Sequence, residues 1–218
     1  VLNILKKYSI KYFILGNGSN IILPPYYDGI IIKLNNFDKL TIKDNEVVVE
    51  SGYMFNKLSN ELSNMGYTGY EWSVGIPGTV GGCIYNNAGA YKMSVSDLLI
   101  SVTVLKNNEI IELPSSECNF GYRTSLFKEE KDYIILSCRL KIHKGNIDEI
   151  KSLINDRTKR RIETQPLNYP SCGSVFRNPD SISAGKLIED LGLKGYSIGG
   201  ACVSTLHANF IINKDNAS

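Results

Sequence analysis

The residues that could do chemistry gather in a few short segments. Gly16-Asn17-Gly18-Ser19-Asn20 follows an apolar run. Gly75-Ile76-Pro77-Gly78-Thr79-Val80-Gly81-Gly82 leads on towards Asn86-Asn87-Ala88-Gly89-Ala90-Tyr91. Glycine admits positive φ and lets backbone lie close to a ligand, so successive amides in such loops can point at an anion. The first segment is not a dinucleotide fingerprint, because Ile21 stands where its third glycine would be. The second is not a Walker A loop, because no Gly-Lys-Ser/Thr follows it. Alone, the first also fits an ordinary tight turn and the second a packed loop crossing. The second is so poor in large side chains that its better use is to set backbone against something flat or anionic.

Two more segments carry polar side chains. Phe120-Gly121-Tyr122-Arg123-Thr124-Ser125 sets a cation beside an aromatic ring, and Tyr169-Pro170-Ser171-Cys172-Gly173-Ser174-Val175-Phe176-Arg177-Asn178-Pro179 sets a serine on a glycine. Taken singly, Arg123 also reads as a surface or ion-pair residue, and Gly173-Ser174 as a turn. The nucleophile elbow is excluded, since Phe176 replaces its closing glycine. His143 and His207 are the only histidines, and a Ser-His-Asp triad has no support.

The elements that must position these residues follow from periodicity. Lys11–Leu15, Gly29–Leu34, Glu46–Glu50, Leu99–Leu105, Glu109–Leu113, Tyr133–Ile142 and Ala208–Asn213 read as strands. Asn107-Asn108 suits a hairpin turn. Phe55, Leu58, Leu62 and Met65 share one helical face, with Gly66 as its stop; Leu2, Leu5 and Tyr8 suggest a short helix, and Ile147, Ile150 and Ile154 a longer one. Ser183 reads as the N-cap of a helix from Ala184 to Leu191 that stops at Gly192. Strands and helices mix without strict alternation, which predicts an α+β fold.

Composition narrows the class. The 218 residues suit one large domain or two small ones, with 43% hydrophobic and 21% charged residues. A net charge of +2 is too weak to imply nucleic acid or a membrane surface, so neither is an expected partner. Cys83, Cys118, Cys138, Cys172 and Cys202 are odd in number and form no CxxC pair, which predicts a reducing cytoplasm and no bound metal. No run approaches the ~18 apolar residues of a membrane span. No signal peptide is read at the start. A monomer is expected. The ends read as cut: the first segment has no initiator Met, and Lys214–Ser218 stops without a closing element.

Taken in order, Gly16–Asn20, Ile76–Gly82, Asn87–Tyr91, Tyr122-Arg123, Pro170–Pro179, Ala184–Ile188, Gly192–Gly195 and His207–Phe210 resemble the UDP-N-acetylenolpyruvoylglucosamine reductases, also called UDP-N-acetylmuramate dehydrogenases, of bacterial peptidoglycan synthesis. Each piece is weak, but their joint order is specific. The resemblance implies an FAD-binding domain of the vanillyl-alcohol-oxidase (PCMH) type over residues 1–145, lacking its N-terminal part. A smaller α+β substrate-binding domain would follow over residues 146–218, lacking its C-terminal part. The short path from Tyr122 to Pro170 resembles the family's shorter type.

The resemblance also implies the chemistry. Hydride would pass from NADPH to FAD and then to C3 of the enolpyruvyl group of a UDP-sugar, with protonation at C2. Ser174 would donate that proton and Arg123 would stabilise the enolate's carboxylate. Gly16, Asn17, Gly18, Ser19, Asn20, Gly75, Ile76, Pro77, Gly78, Thr79, Gly81, Gly82, Asn87, Gly89 and Ala90 are the expected cofactor contacts, and Tyr122, Asn178, Lys194 and His207 the expected substrate contacts. Two departures stand out: the family's second catalytic acid, a Glu, would lie beyond Ser218, and an N-terminal Phe-Lys-Ile-Gly-Gly-like turn is missing. The chain alone is therefore expected to be slow or inactive. The competing readings are another FAD-dependent oxidoreductase of the same flavin fold and a catalytically dead flavin- or nucleotide-binding fragment.

Overall fold

The structure, a computed structural model, describes residues 1–217. The chain divides into two compact units, one of residues 1–18 with 23–154, the other of residues 19–22 with Asn155 onward.

In the first unit, helix α1 (Leu2–Lys7) precedes strands β1 (Tyr12–Leu15) and β2 (Ile30–Lys33), which pair in parallel with Tyr12 opposite Ile30. β3 (Leu40–Lys43) and β4 (Glu46–Glu50) follow, then α2 (Phe55–Asn64), β5 (Tyr67–Thr68) and α3 (Val80–Tyr85). Next come β6 (Gly89–Ala90), β7 (Met93–Ser94), α4 (Val95–Leu98), β8 (Leu99–Lys106), β9 (Glu109–Pro114), α5 (Leu126–Glu129), β10 (Ile134–Lys141) and β11 (His143–Lys144), before α6 (Ile147–Thr164). The main sheet has the order β3-β4-β10-β8-β9, and every neighbouring pair is antiparallel.

Alternation decides its faces. Val47 and Val49 are fully buried while Val48 between them is 38% exposed, as the two-residue side-chain period requires. Across the ladder Val49 faces Cys138 and Val47 faces Leu140, both buried. Asn107 and Asn108 both have positive φ, the pair of values that a two-residue hairpin turn of matching twist demands.

Helix α2 buries Phe55, Leu58 and Leu62, but Met65 does not join them. It is the C-cap and is half exposed, because Gly66 at φ +78° ends the helix before a further turn forms. Of the isoleucine stripe on α6, only Ile150 is fully buried; Ile147 is exposed. Tyr70 and Trp72 fill the core where the sequence pattern is silent. Tyr70 donates through its hydroxyl to Lys141 O at 2.7 Å, and the Trp72 ring lies 5.7 Å from that of Phe55. The buried Glu71 carboxylate accepts from Thr68 Oγ1 and Gly69 N, which fixes the turn just before the glycine-rich segment.

In the second unit β12 (Ser171–Ser174), α7 (Ala184–Asp190), β13 (Ser197–Ile198), β14 (Ala201–Val203) and β15 (Phe210–Asn213) follow α6. The sheet order is β12-β15-β14-β13, antiparallel throughout. Ser183 caps α7 by accepting from Lys186 N at 3.1 Å, and Gly192 at φ +69° follows its end, as the sequence predicts. β12 is a correction: Ser171–Ser174 reads as loop because Ser-Cys-Gly-Ser has no apolar alternation, yet its backbone pairs with β15. Among the described residues no helix is long and apolar enough to cross a membrane.

Candidate functional site

The two glycine loops meet within the first unit. Asn17 donates through Nδ2 to Pro77 O at 2.7 Å. A Cβ on Gly16 would fall 2.8 Å from Thr79 Oγ1, so any side chain here would force Thr79 or the loop to shift. Gly18 at φ +77° has open space around it, and Gly75 also has positive φ. The amides of Gly18, Gly78 and Thr79 have no hydrogen-bond partner among the described residues.

The segment reads as a loop but is partly helical. Thr79 is the N-cap of α3 and its Oγ1 accepts from Gly82 N at 3.3 Å. Val80 N donates to Tyr53 O and Gly81 N to Ser51 O, each at 2.8 Å, so these two amides are committed to the protein. A Cβ on Gly81 would lie 2.9 Å from Ser51 Cβ, which makes this glycine a packing residue. Of the amides in this segment, those of Val80, Gly81 and Gly82 thus already have protein acceptors.

Asn87 lies at the end of α3 with φ 41° and is buried. Its side chain is spent on structure, donating to Gly121 O at 2.9 Å and accepting from Ser96 N at 3.2 Å. The Arg123 guanidinium donates to Asn87 O at 3.3 Å and to Gly89 O at 2.6 Å. Arg123 itself has φ 57°, and its carbonyl accepts from Lys128 Nζ, which also donates to Asn86. The loop thus holds the cation by both its backbone and its side chain. Tyr122 is exposed, with its ring 5.5 Å from the guanidinium carbon. Ala90 pairs with Met93 across the β6–β7 turn.

Cys83 lies behind the glycine segment, with Sγ 3.0 Å from where a Cβ on Gly78 would stand. Burial pushes its thiol up to about 12, so it is a poor nucleophile for a covalent flavin link. Among the described residues no cluster of His, Cys, Asp and Glu could hold a metal ion.

The second unit places the remaining candidates. Ser174 ends β12 opposite Phe210 and is exposed, and its hydroxyl has no hydrogen-bond partner among the described residues. Asn178 accepts from Ala184 N at 3.0 Å, so its side chain supports the start of α7. Lys194 Nζ pairs with Glu189 Oε1 at 2.7 Å. His207 accepts from Asn209 N through Nδ1 at 3.2 Å, which leaves the proton of a neutral ring on Nε2. Burial lowers its pKa, favouring that neutral form. Ser19 and Asn20 group with this unit rather than with Gly16–Gly18. Sequence reasoning missed Asn209, a buried residue whose side chain binds the backbone of Phe176. Its signals are an asparagine between apolar Ala208 and Phe210 and its place within the His207–Phe210 segment.

Comparison with known proteins accounts for both units. Residues 1–113 match the family described as FAD binding domain, and residues 165–218 that described as UDP-N-acetylenolpyruvoylglucosamine reductase, C-terminal domain. UDP-N-acetylenolpyruvoylglucosamine reductase of Alkaliphilus metalliredigens is 44% identical over 220 residues, covering 100% of this chain and 72% of that protein. The reductase of the same name from Clostridium beijerinckii is 41% identical with the same coverage. The crystal structure of UDP-N-acetylenolpyruvylglucosamine reductase from Thermus caldophilus superposes with a TM-score of 0.86 at 31% identity, over 99% of this chain and 79% of that one. Alkyldihydroxyacetonephosphate synthase, at TM-score 0.50 and 19% identity over 66% of this chain and 31% of that one, shares the fold alone. An FAD-binding domain thus precedes a reductase C-terminal domain in a mixed α and β chain, and the chain belongs to the UDP-N-acetylenolpyruvoylglucosamine reductase family.

Proposed function

We propose that this chain reduces the enolpyruvyl group of UDP-N-acetylglucosamine enolpyruvate to give UDP-N-acetylmuramate, using FAD and NADPH, in peptidoglycan synthesis. The observation that carries the reading is in the first unit, where the two glycine loops touch and Arg123 is pinned by the carbonyls of Asn87 and Gly89. FAD, when bound, supplies a hydride to the substrate. Gly18, Gly78 and Thr79 suit its pyrophosphate, because their amides have no hydrogen-bond partner among the described residues and glycine leaves room for close approach. In this reading the FAD-binding part spans residues 1–145 and the substrate-binding part follows from residue 146.

Arg123 would meet the substrate's carboxylate. Two backbone carbonyls already orient its guanidinium, so little reorganisation is needed as charge develops. Ser174 would pass the proton to C2. A serine hydroxyl is a weak acid near neutral pH, so water must replace its proton as it leaves, and its exposed position supports that supply. The neutral His207 would offer Nε2–H to an uncharged acceptor. Lys194 would have to leave Glu189 to meet the diphosphate. The reading includes a cytoplasmic monomer without nucleic-acid or membrane partners.

The test is NADPH oxidation by the FAD-loaded protein with and without the UDP-sugar. Absence of substrate-dependent turnover by the full-length gene product would sink the reading. Acid precipitation separates it from a covalent flavin oxidase, since a reductase of this kind releases FAD to the supernatant.

A further inference from the structure

Asn209 is 3% exposed and belongs to none of the expected contacts. Its side chain spends both polar groups on one residue. Oδ1 accepts from Phe176 N at 2.9 Å, and Nδ2 donates to Phe176 O at 2.8 Å. Its own carbonyl accepts from Val175 N at 2.9 Å. An amide that meets the N–H and C=O of a single residue acts as one more rung of an antiparallel ladder. The β12–β15 pairing is thereby continued past Ser174. Phe176 is 58% exposed, so this clamp does not serve to bury its ring.

The other side of Ser174 is equally constrained. The register between β12 and β15 slips between Ser171 and Ser174, and Gly173 there has φ +80°. A bulge of this kind re-aims the side chain next to it. Ser174 therefore lies between a bulge and a clamp. The clamp is itself anchored: Asn209 N donates to His207 Nδ1, and Ser204 Oγ accepts from the amides of Leu206 and His207.

We propose that Asn209 is a positioning residue that sets the direction of the Ser174 hydroxyl, and so governs proton delivery to the substrate without touching it. The proposal rests on Ser174 being the proton donor. The test uses the FAD-loaded full-length gene product carrying Asn209→Ala, Asn209→Asp, Ser174→Ala or the double variant Asn209→Ala with Ser174→Ala. Reduction of the flavin by NADPH is timed separately from its reoxidation by the UDP-sugar, and sugar affinity is read from the flavin's visible spectrum.

Asn209→Ala is expected to leave flavin reduction and sugar affinity within about threefold and to slow reoxidation roughly 10- to 100-fold, the scale of a small misplacement of a reacting group. In the Ser174→Ala background the same change should cost less than about twofold, because its effect runs through the missing hydroxyl. Asn209→Asp keeps the acceptor for Phe176 N and should lie between, which also covers an alanine variant that does not fold. Equal slowing of both half-reactions, an equal factor with and without Ser174, or unchanged reoxidation in both Asn209 variants overturns the proposal. Unchanged reoxidation in Ser174→Ala overturns it through the role given to Ser174, a failure that these arms separate from that of Asn209.

Discussion

Replacing Gly16 by alanine tests whether the two glycine loops share one ligand. The φ of Gly16 lies outside the left-handed region, so only space opposes the methyl group, which would fall 2.8 Å from Thr79 Oγ1. If Thr79 rotates away, Gly82 N loses its cap acceptor, at a cost of about 1 kcal/mol. If the loop moves instead, the Asn17–Pro77 hydrogen bond is lost, again about 1 kcal/mol. Alanine also restricts the unfolded chain, which offsets ~0.4–1 kcal/mol of either loss. Apoprotein stability should thus change by less than about 1 kcal/mol, moving Tm by no more than ~4 °C. Cofactor affinity should respond much more. A charge-assisted amide contact is worth about 1.5–3 kcal/mol, so losing one weakens FAD binding roughly 10- to 100-fold. Titration of FAD into apoprotein, followed by quenching of flavin fluorescence, measures the affinity, and circular dichroism measures melting. Unchanged affinity with unchanged melting would refute the idea that Gly16 and Thr79 stand against one bound cofactor.

Three further outcomes are expected. Arg123→Lys keeps the charge but loses the planar fork that spans the Asn87 and Gly89 carbonyls. Substrate-dependent turnover should fall about 100-fold with FAD content unchanged, and steady-state kinetics within threefold of the parent, roughly its own scatter, would contradict the role. Asn87→Ala removes one of two donors to Gly121 O and the acceptor of Ser96 N, and should cost about 2 kcal/mol, lowering Tm by ~4–8 °C in a thermal melt. Burial holds His207 below its usual 6.5, so the unfolded chain binds that proton more readily than the folded one. Its stabilising contribution is complete above about pH 6.5 and is lost as the pH falls through the folded value. Urea unfolding of His207→Asn should be flatter than the parent between about pH 7 and pH 5, and parallel curves would discount this group.

Residue types and periods alone determined much of the scaffold and, through the order of its motifs, the family. Glu46–Glu50 is a strand because β-branched residues there alternate between core and solvent, and Ser183 starts a helix because its hydroxyl replaces a missing acceptor. Those signals act over a few residues and survive in a linear string. Tertiary structure decided the rest. Ser171–Ser174 has no alternation and becomes a strand only because β15 supplies its pairing. Gly81 and Gly82 look like loop and lie in α3, because Thr79 caps the turn and Ser51 receives an amide. The contacts that shape the site join positions far apart: Asn17 to Pro77 across 60 residues, Arg123 to Gly89 across 34, Asn209 to Phe176 across 33. A hydrogen bond needs its partner within about 3 Å. Sequence spacing carries no such distance until the chain has folded.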